Sequence, residues 1–269
     1  MKDFTPGYDF GAARFDLNKD EDRAIVRFML SQALYGEATG VYCGKSVYAA
    51  RSLEAAQFYV RQAKQELNHL VLFADIFREL DLEPEPGHWV VKLLASHNNY
   101  YPLKVLMEHA IGEGMVLDIF RDVLLQTLPD DDPRVPRIKK KLKVVCMEEE
   151  EHVGWGEKET RRLLAEKPWL RWPYYGLVEL QLLVVPHLVK AFKGRMGDHP
   201  VLAHVEPFVE HVRRRVWQQG KDLGFIPDAP LSLPARAFAV ASGVGLYGLS
   251  QFARSSSTLD HTYLKELGF

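Results

Sequence analysis

Glu66-Leu67-Asn68-His69 and Glu149-Glu150-Glu151-His152 decide how this chain folds. Both stretches lie in long runs of helical periodicity. Residues three apart share one side of a helix, so each step aims a carboxylate and an imidazole at a common point. An earlier helical run precedes each step and carries a lone glutamate on its apolar face, Glu37 in the first case and Glu113 in the second. The order is helix with Glu, helix with Glu-x-x-His, crossover, helix with Glu, helix with Glu-x-x-His. It is a pseudo-repeat of one helical hairpin.

The faces of these helices separate ligand from solvated charge. Glu149 shares its side with Leu142, Val145, Cys146, His152, Val153 and Gly156, whereas Glu148, Glu150 and Glu151 are expected to point mostly elsewhere. Glu66 stands with Tyr59, Ala63, His69, Leu70 and Phe73, and Glu37 with Leu30, Ala33, Leu34, Gly40, Val41 and Gly44. In the third helix Glu113 lies among Leu106, His109, Ala110, Val116, Leu117 and Phe120. Glu108 sits five positions earlier, roughly 140° around a regular helix of ~3.6 residues per turn, so Glu113 is the choice there. His109, one turn before Glu113, reads equally as a hydrogen-bonding partner behind the ligands or as a partly exposed residue. A third match, Glu85-Pro86-Gly87-His88, is rejected because Pro-Gly breaks the helical register on which the spacing depends.

A carboxylate buried in apolar company costs several kcal/mol unless something compensates it. Four of them with two histidines in register, Glu37, Glu66, His69, Glu113, Glu149 and His152, are most economically compensated by two divalent cations. That set of four carboxylates and two imidazoles is the ligand set of a di-iron or di-manganese centre inside a four-helix bundle. The fold expected is all-α, with an arm over residues 1–19, a bundle over 20–166 and a helical extension over 167–269 packed on the bundle or on a second subunit. Helices are expected from about Asp20 to Ala49, from the N-cap Ser52 to Leu80, from about Pro102 to Leu128 and from about Arg134 to Glu166. A further helical stretch is expected near Trp89–Asn98, and three more in the extension, over Trp172–Met196, His199–Gly220 and Pro234–Arg254. Glycines cluster on the ligand-bearing helices (Gly36, Gly40, Gly44, Gly112, Gly114, Gly154 and Gly156). They allow either close helix packing or a cavity for dioxygen and an organic substrate; Tyr35, Tyr42, Tyr59, Phe73 and Trp155 could line such a cavity, with plain core the favoured reading for each.

Bulk properties narrow the classes further. With 269 residues, 47% hydrophobic and 26% charged, the chain can bury a sizeable core, and a net charge of −2 gives no sign of a nucleic-acid binder. The basic runs Arg137–Lys143 and Arg213–Arg215 read as solvated helix faces. Two distant cysteines, Cys43 and Cys146, speak against a disulfide scaffold, a zinc ribbon and a rubredoxin module. No apolar signal core opens the chain and no spanning segment is expected, so a cytoplasmic location is the default.

The six residues, together with Glu149-Glu150-Glu151-His152-Val153-Gly154-Trp155-Gly156-Glu157, resemble the ferritin-like di-iron carboxylate superfamily. The resemblance is to its oxygenase and oxidase branch, which includes aldehyde-deformylating oxygenase, the tRNA-modifying di-iron hydroxylase and phenylacetyl-CoA epoxidase-type proteins. It covers about residues 20–166. It implies a ferritin-like four-helix bundle whose six ligands bind two iron ions, with dioxygen as co-substrate, in an oxidoreductase acting on a small organic or acyl substrate. The same ligands would serve a manganese or mixed iron–manganese oxidase, or a ferroxidase-type iron-handling protein. No flavin, nicotinamide or iron–sulfur motif is visible, so an external electron donor such as a ferredoxin or a reductase is implied. A homodimer is among the assemblies the extension allows.

Overall fold

A computed structural model of the chain describes residues 4–88, 100–196 and 199–252. Every regular element among the described residues is helical. Helix α1 (Asp20–Gly40) begins with Asp20, Glu21 and Asp22 in its first turn, where acidic charge suits the exposed N–H groups of the helix end. It tightens into a 3-10 segment over Val41–Ala49, so the regular helix expected up to Ala49 stops nine residues earlier. Ser52 caps α2 (Leu53–Leu80) by accepting the amide of Ala55 at 3.0 Å. Asp81 ends it in a left-handed conformation (φ 51°), with the Leu82 amide returning to the Phe77 carbonyl. Residues 82–88 leave the helix, and the His88 amide bonds Gln32 Oε1 there, as the Pro-Gly break requires. The helical stretch expected near Trp89–Asn98 lies outside the described residues.

The third helical run, residues 101–127 (α3), departs from the expectation of a regular helix. Short α-helical pieces (Tyr101–Lys104, Glu113–Asp118, Leu125–Thr127) alternate with two π-helical segments, Val105–Gly112 and Ile119–Leu124. Gly112 marks the first of these in the sequence. A Cβ at that position would sit 2.7 Å from the carbonyl oxygen of Met107, five residues back, so only glycine fits the wider turn. The Ala110 carbonyl in this segment accepts a bond from Gln219 Nε2 at 2.8 Å.

Helix α4 (Val135–Glu166) starts with Pro136 in its first turn and stops before Pro168. After a single turn at Pro168–Leu170 come α5 (Arg171–Met196), α6 (Leu202–Asp222) and α7 (Leu233–Phe252). Helix α1 packs on α2, α2 on α4, and α4 on α3, while α5 packs on α6 and α7 and touches α1 and α3. The extension is tied to the ligand-bearing helices by specific bonds. Tyr174 donates to the Pro102 carbonyl at 2.7 Å, and Arg215 Nε donates to buried Asp118 at 2.6 Å. The N-terminal arm docks likewise, with Phe10, Phe15 and Leu17 buried, the Phe15 amide on the Thr127 carbonyl and the Gly7 amide on Asp122. Among the described residues, no helix is long and apolar enough to cross a membrane.

Two glycines of α4 differ in what surrounds them, and this fixes the sign of their substitution. A Cβ on Gly156 would meet the backbone of His109 and Ala110 at 2.6–2.7 Å, so this glycine sets how closely α4 approaches α3. Gly156→Ala is expected to lower stability by about 1–3 kcal/mol, the usual cost of overpacking. Gly154 has nothing within 4 Å, so Gly154→Ala is expected to gain roughly 0.5–1 kcal/mol from helix propensity. Urea unfolding of the two variants checks both signs.

Candidate metal centre

Each of the six sequence-predicted residues comes from one of the four ligand-bearing helices: Glu37 from α1, Glu66 and His69 from α2, Glu113 from α3, Glu149 and His152 from α4. All are buried except Glu113, whose side chain keeps 13% of its surface. They form two overlapping groups that could hold metal ions, Glu37/Glu66/His69/Glu149 and Glu66/Glu113/Glu149/His152. Within each group the ligand atoms lie within 4.8 Å of one another.

The overlap falls on the two glutamates of the Glu-x-x-His steps, and their oxygens are divided between the groups. His69 Nδ1 is 3.8 Å from Glu66 Oε2 and 3.4 Å from Glu149 Oε1, with Glu37 Oε2 at 2.8 Å. His152 Nδ1 faces the opposite oxygens, Glu66 Oε1 at 3.6 Å and Glu149 Oε2 at 3.3 Å. Each shared carboxylate therefore turns one oxygen to each histidine.

The far nitrogens of the histidines are held by Glu148, expected to point elsewhere, and by Gln65, which the sequence reading passed over. His69 Nε2 pairs with Glu148 Oε2 at 2.7 Å. His152 Nε2 pairs with Gln65 Oε1 at 3.0 Å, and Gln65 in turn reaches Glu151. The expectation that Glu148 points away from the site is thus corrected. Gln65 and Glu148 each precede the glutamate of one step and bond the histidine of the other, because α2 and α4 lie side by side. With Nε2–H donated outward, a ring that has given up its other proton would turn the Nδ1 lone pair to the interior.

Gln62 was also missed. It is fully buried, and its Nε2 donates to Glu113 Oε1 at 3.0 Å and to Glu66 Oε1 at 3.3 Å, with His109 Nδ1 at 3.4 Å. Its signal in the sequence was a polar residue one turn before Glu66 on the same apolar face. His109 proves fully buried, ringed by Phe58, Tyr59 and Trp155, and burial pulls its pKa down to about 3, so it stays neutral. Its Nε2 has no hydrogen-bond partner. Of the aromatics expected to line a cavity, Tyr59 and Phe73 are core, Trp155 is half-buried, and Tyr35 and Tyr42 are exposed. Nor does Gly40 open a cavity: a Cβ there would come 2.6 Å from Glu66 Cδ, so the missing side chain makes room for the carboxylate.

Electrostatics argue that this donor set is built for cations. Burial, then the charges of Glu37 and Glu149, push Glu66 well above the ordinary carboxylate range, and burial with Glu149 and Glu66 does the same to Glu113. Burial opposes ionisation of Glu149 too, but the charge and hydrogen bonding of His152, with the bond to His69, hold it well below that range. For His69 burial is outweighed by its bonds to Glu148, Glu149 and Glu37, which push it up to about 12. Glu149 Oε1 is fully buried and makes no well-formed hydrogen bond, its contact with His69 Nδ1 being a long ion pair at 3.4 Å. A lone carboxylate oxygen in that position costs about 1–3 kcal/mol, and a cation between the two groups would remove the penalty. Oxygen and imidazole donors of this kind suit iron, manganese or zinc. The residues fit the group that the sequence implies.

Comparison with known proteins adds nothing to this: no family model, no curated protein and no solved structure matches the chain.

Two outcomes follow from the geometry. Glu149→Ala and His152→Ala are expected to lose bound metal, Glu148→Ala to keep it with roughly 10–100-fold weaker affinity, and Glu150→Ala to bind normally. Metal titration of the four variants measures this, and equal loss in all four would contradict the register. Metal binding is also expected to release protons, because without metal Glu66, Glu113 and His69 hold theirs to higher pH than ordinary groups, and a ligand must give up its proton. Apparent affinity then rises with pH above the ordinary carboxylate range. Calorimetry in buffers of different ionisation heat reads the release directly.

Proposed function

We propose that the chain is a ferritin-like di-metal carboxylate protein whose four ligand-bearing helices make the bundle. Its activity is that of a dioxygen-using oxidoreductase acting on a small organic or acyl substrate. The observation that supports this reading is the division of the Glu66 and Glu149 oxygens between His69 and His152, an arrangement that would suit two adjacent cations sharing both carboxylates. Glu37 and His69 would complete one position, Glu113 and His152 the other. Two iron ions held there would supply the electrons by which dioxygen is activated.

The chain's own contribution is orientation and exclusion. Glu148 and Gln65 fix the rings of His69 and His152, and Gln62 holds the Glu66 and Glu113 carboxylates apart at hydrogen-bond distance. Phe58, Tyr59 and Phe73 keep water from the α2 side, where all three are fully buried. Reducing equivalents come from a separate donor, a ferredoxin or reductase, since the sequence carries no flavin, nicotinamide or iron–sulfur motif.

One observation supports the ferroxidase reading as a second possibility. Glu148 is part-exposed and reaches the far nitrogen of His69, and exposed Glu151 reaches that of His152 through Gln65, so acidic groups lie between the surface and both histidines, as on a path for incoming cations. Elemental analysis of the purified protein is expected to give two iron or manganese ions per chain. Dioxygen uptake then separates the readings. Steady uptake with excess ferrous ion alone, with ferric ion accumulating, means iron handling. Uptake that needs an organic substrate and a reductant means an oxygenase. No bound metal after anaerobic loading would sink both.

A further inference from the structure

A second buried polar cluster stands beside the six ligands and takes no part in holding a metal. It joins the 3-10 segment to α3. Lys104 is 1% exposed, and its Nζ lies 2.6 Å from both carboxylate oxygens of Glu108. The Cys43 thiol, fully buried, donates to Glu108 Oε1 at 2.8 Å. Lys104 Nζ and Cys43 Sγ are 3.6 Å apart. The Tyr59 ring faces the ammonium at 5.9 Å, and the hydroxyl of that tyrosine has no hydrogen-bond partner.

A buried amine, a buried thiol and one carboxylate touching both make a reactive arrangement. Burial opposes both charges, but the Glu108 carboxylate holds Lys104 above its ordinary value as an ammonium, so the amine lone pair facing the sulfur is freed only in the minor form in which that proton has passed to Glu108. Cys146 is also a buried free thiol, but it lies on α4 among other residues, so the nearest reactive partner of Cys43 is a nitrogen rather than a second sulfur.

We propose that Cys43 and Lys104 are the two ends of a reversible oxidative cross-link in which one oxygen atom bridges Sγ and Nζ. The thiol, the neutral amine and one dioxygen molecule give the S–O–N bridge and one water. The S–H bond, one N–H bond and the O–O bond break, and the S–O and O–N bonds form. Sulfur and nitrogen each give up two electrons, and dioxygen takes all four. One oxygen atom stays in the bridge and the other leaves as water with the two released hydrogens. Thiol reductants run the sum backwards and restore thiol and amine.

The bridge would fasten the segment Val41–Ala49 to α3 beside the centre. Gly40, just before that segment, lies against Glu66, and α3 carries Glu113. A covalent tie there restrains two of the elements that position ligands. The oxidant is dioxygen, the co-substrate of the proposed function, yet the chemistry of the pair does not require that function to be correct.

Peptide mapping by mass spectrometry tests the proposal on the full chain. The protein is purified anaerobically with reductant and then exposed to air, with and without bound iron. The expected result is a joined pair of peptides, one holding Cys43 and the other Lys104, heavier than their sum by one oxygen less two hydrogens. Dithiothreitol should separate them. Cys43→Ser and Lys104→Arg should each abolish the species, and Cys146→Ser should leave it. Joining only with iron present supports the bridge and places formation of the oxidant at the centre. Joining without iron supports the bridge whatever the centre does. The proposal is overturned if Cys43 of air-exposed protein is fully alkylated on unfolding. Sulfinic or sulfonic Cys43 with an unlinked Lys104 peptide, or a disulfide to Cys146, overturns it equally. The wild-type map decides the matter even if Lys104→Arg fails to fold.

Discussion

Four carboxylates brought into one apolar interior are the constraint on which the rest of this structure depends. Like charges at these separations repel strongly in a medium that screens them poorly. The chain alone meets the problem by dividing the roles. Glu149 keeps its charge beside His69 and His152, while Glu66 and Glu113 are driven toward their protonated forms. Such an arrangement is not a low-energy way to fill a helical core, because hydrophobic side chains of like volume are usually at least as stable as buried ionic groups. It becomes economical when cations share the carboxylates, and the divided oxygens of Glu66 and Glu149 are placed for that.

Packing around the centre follows from the need to keep those groups fixed. Gly40 yields space to Glu66, Gly156 lets α4 approach the backbone of His109 and Ala110, and Gly112 permits the wide turn of α3. That turn also redirects side chains. With i→i+5 bonding, residues five apart come nearer the same side than they do in a regular helix. Glu108 therefore stays close to the interior, where it meets Lys104 and Cys43 instead of solvent. The extension contributes at the same place, since Gln219 of α6 satisfies the Ala110 carbonyl within the π segment.

The two halves of the centre are related but unequal. The ring of His69 is backed by the anionic side chain of Glu148 and that of His152 by the neutral amide of Gln65. A carboxylate behind an imidazole raises its basicity more than an amide does. The hairpin is thus repeated in the types of residue it brings inward, while the residues behind the histidines would give two cations held there different electronic surroundings. The contact of Cys43 with Lys104 joins the two hairpins, since the thiol follows α1 and the amine stands on α3.

Periodicity and spacing made the ligand-bearing helices legible. Glu37, Glu66, His69, Glu113, Glu149 and His152 could be chosen because each is a polar residue in register with an apolar stripe, and the structure brings all six together. The N-cap at Ser52, the break at Pro86-Gly87 and the stop before Pro168 were equally local matters of backbone chemistry. What the sequence could not decide were contacts between helices. Glu148 read as a residue facing away, and Gln65 drew no notice, because helical phase places a side chain relative to its own axis only. Whether it meets solvent or a histidine depends on the neighbouring helix. The π turns of α3 likewise escaped, since i→i+5 bonding is a rare departure from the regular helix that tertiary packing has to stabilise. The pairing of Lys104 and Glu108 with Cys43 is of the same kind: unremarkable residues from two distant stretches, given their chemistry only by burial in a shared interior.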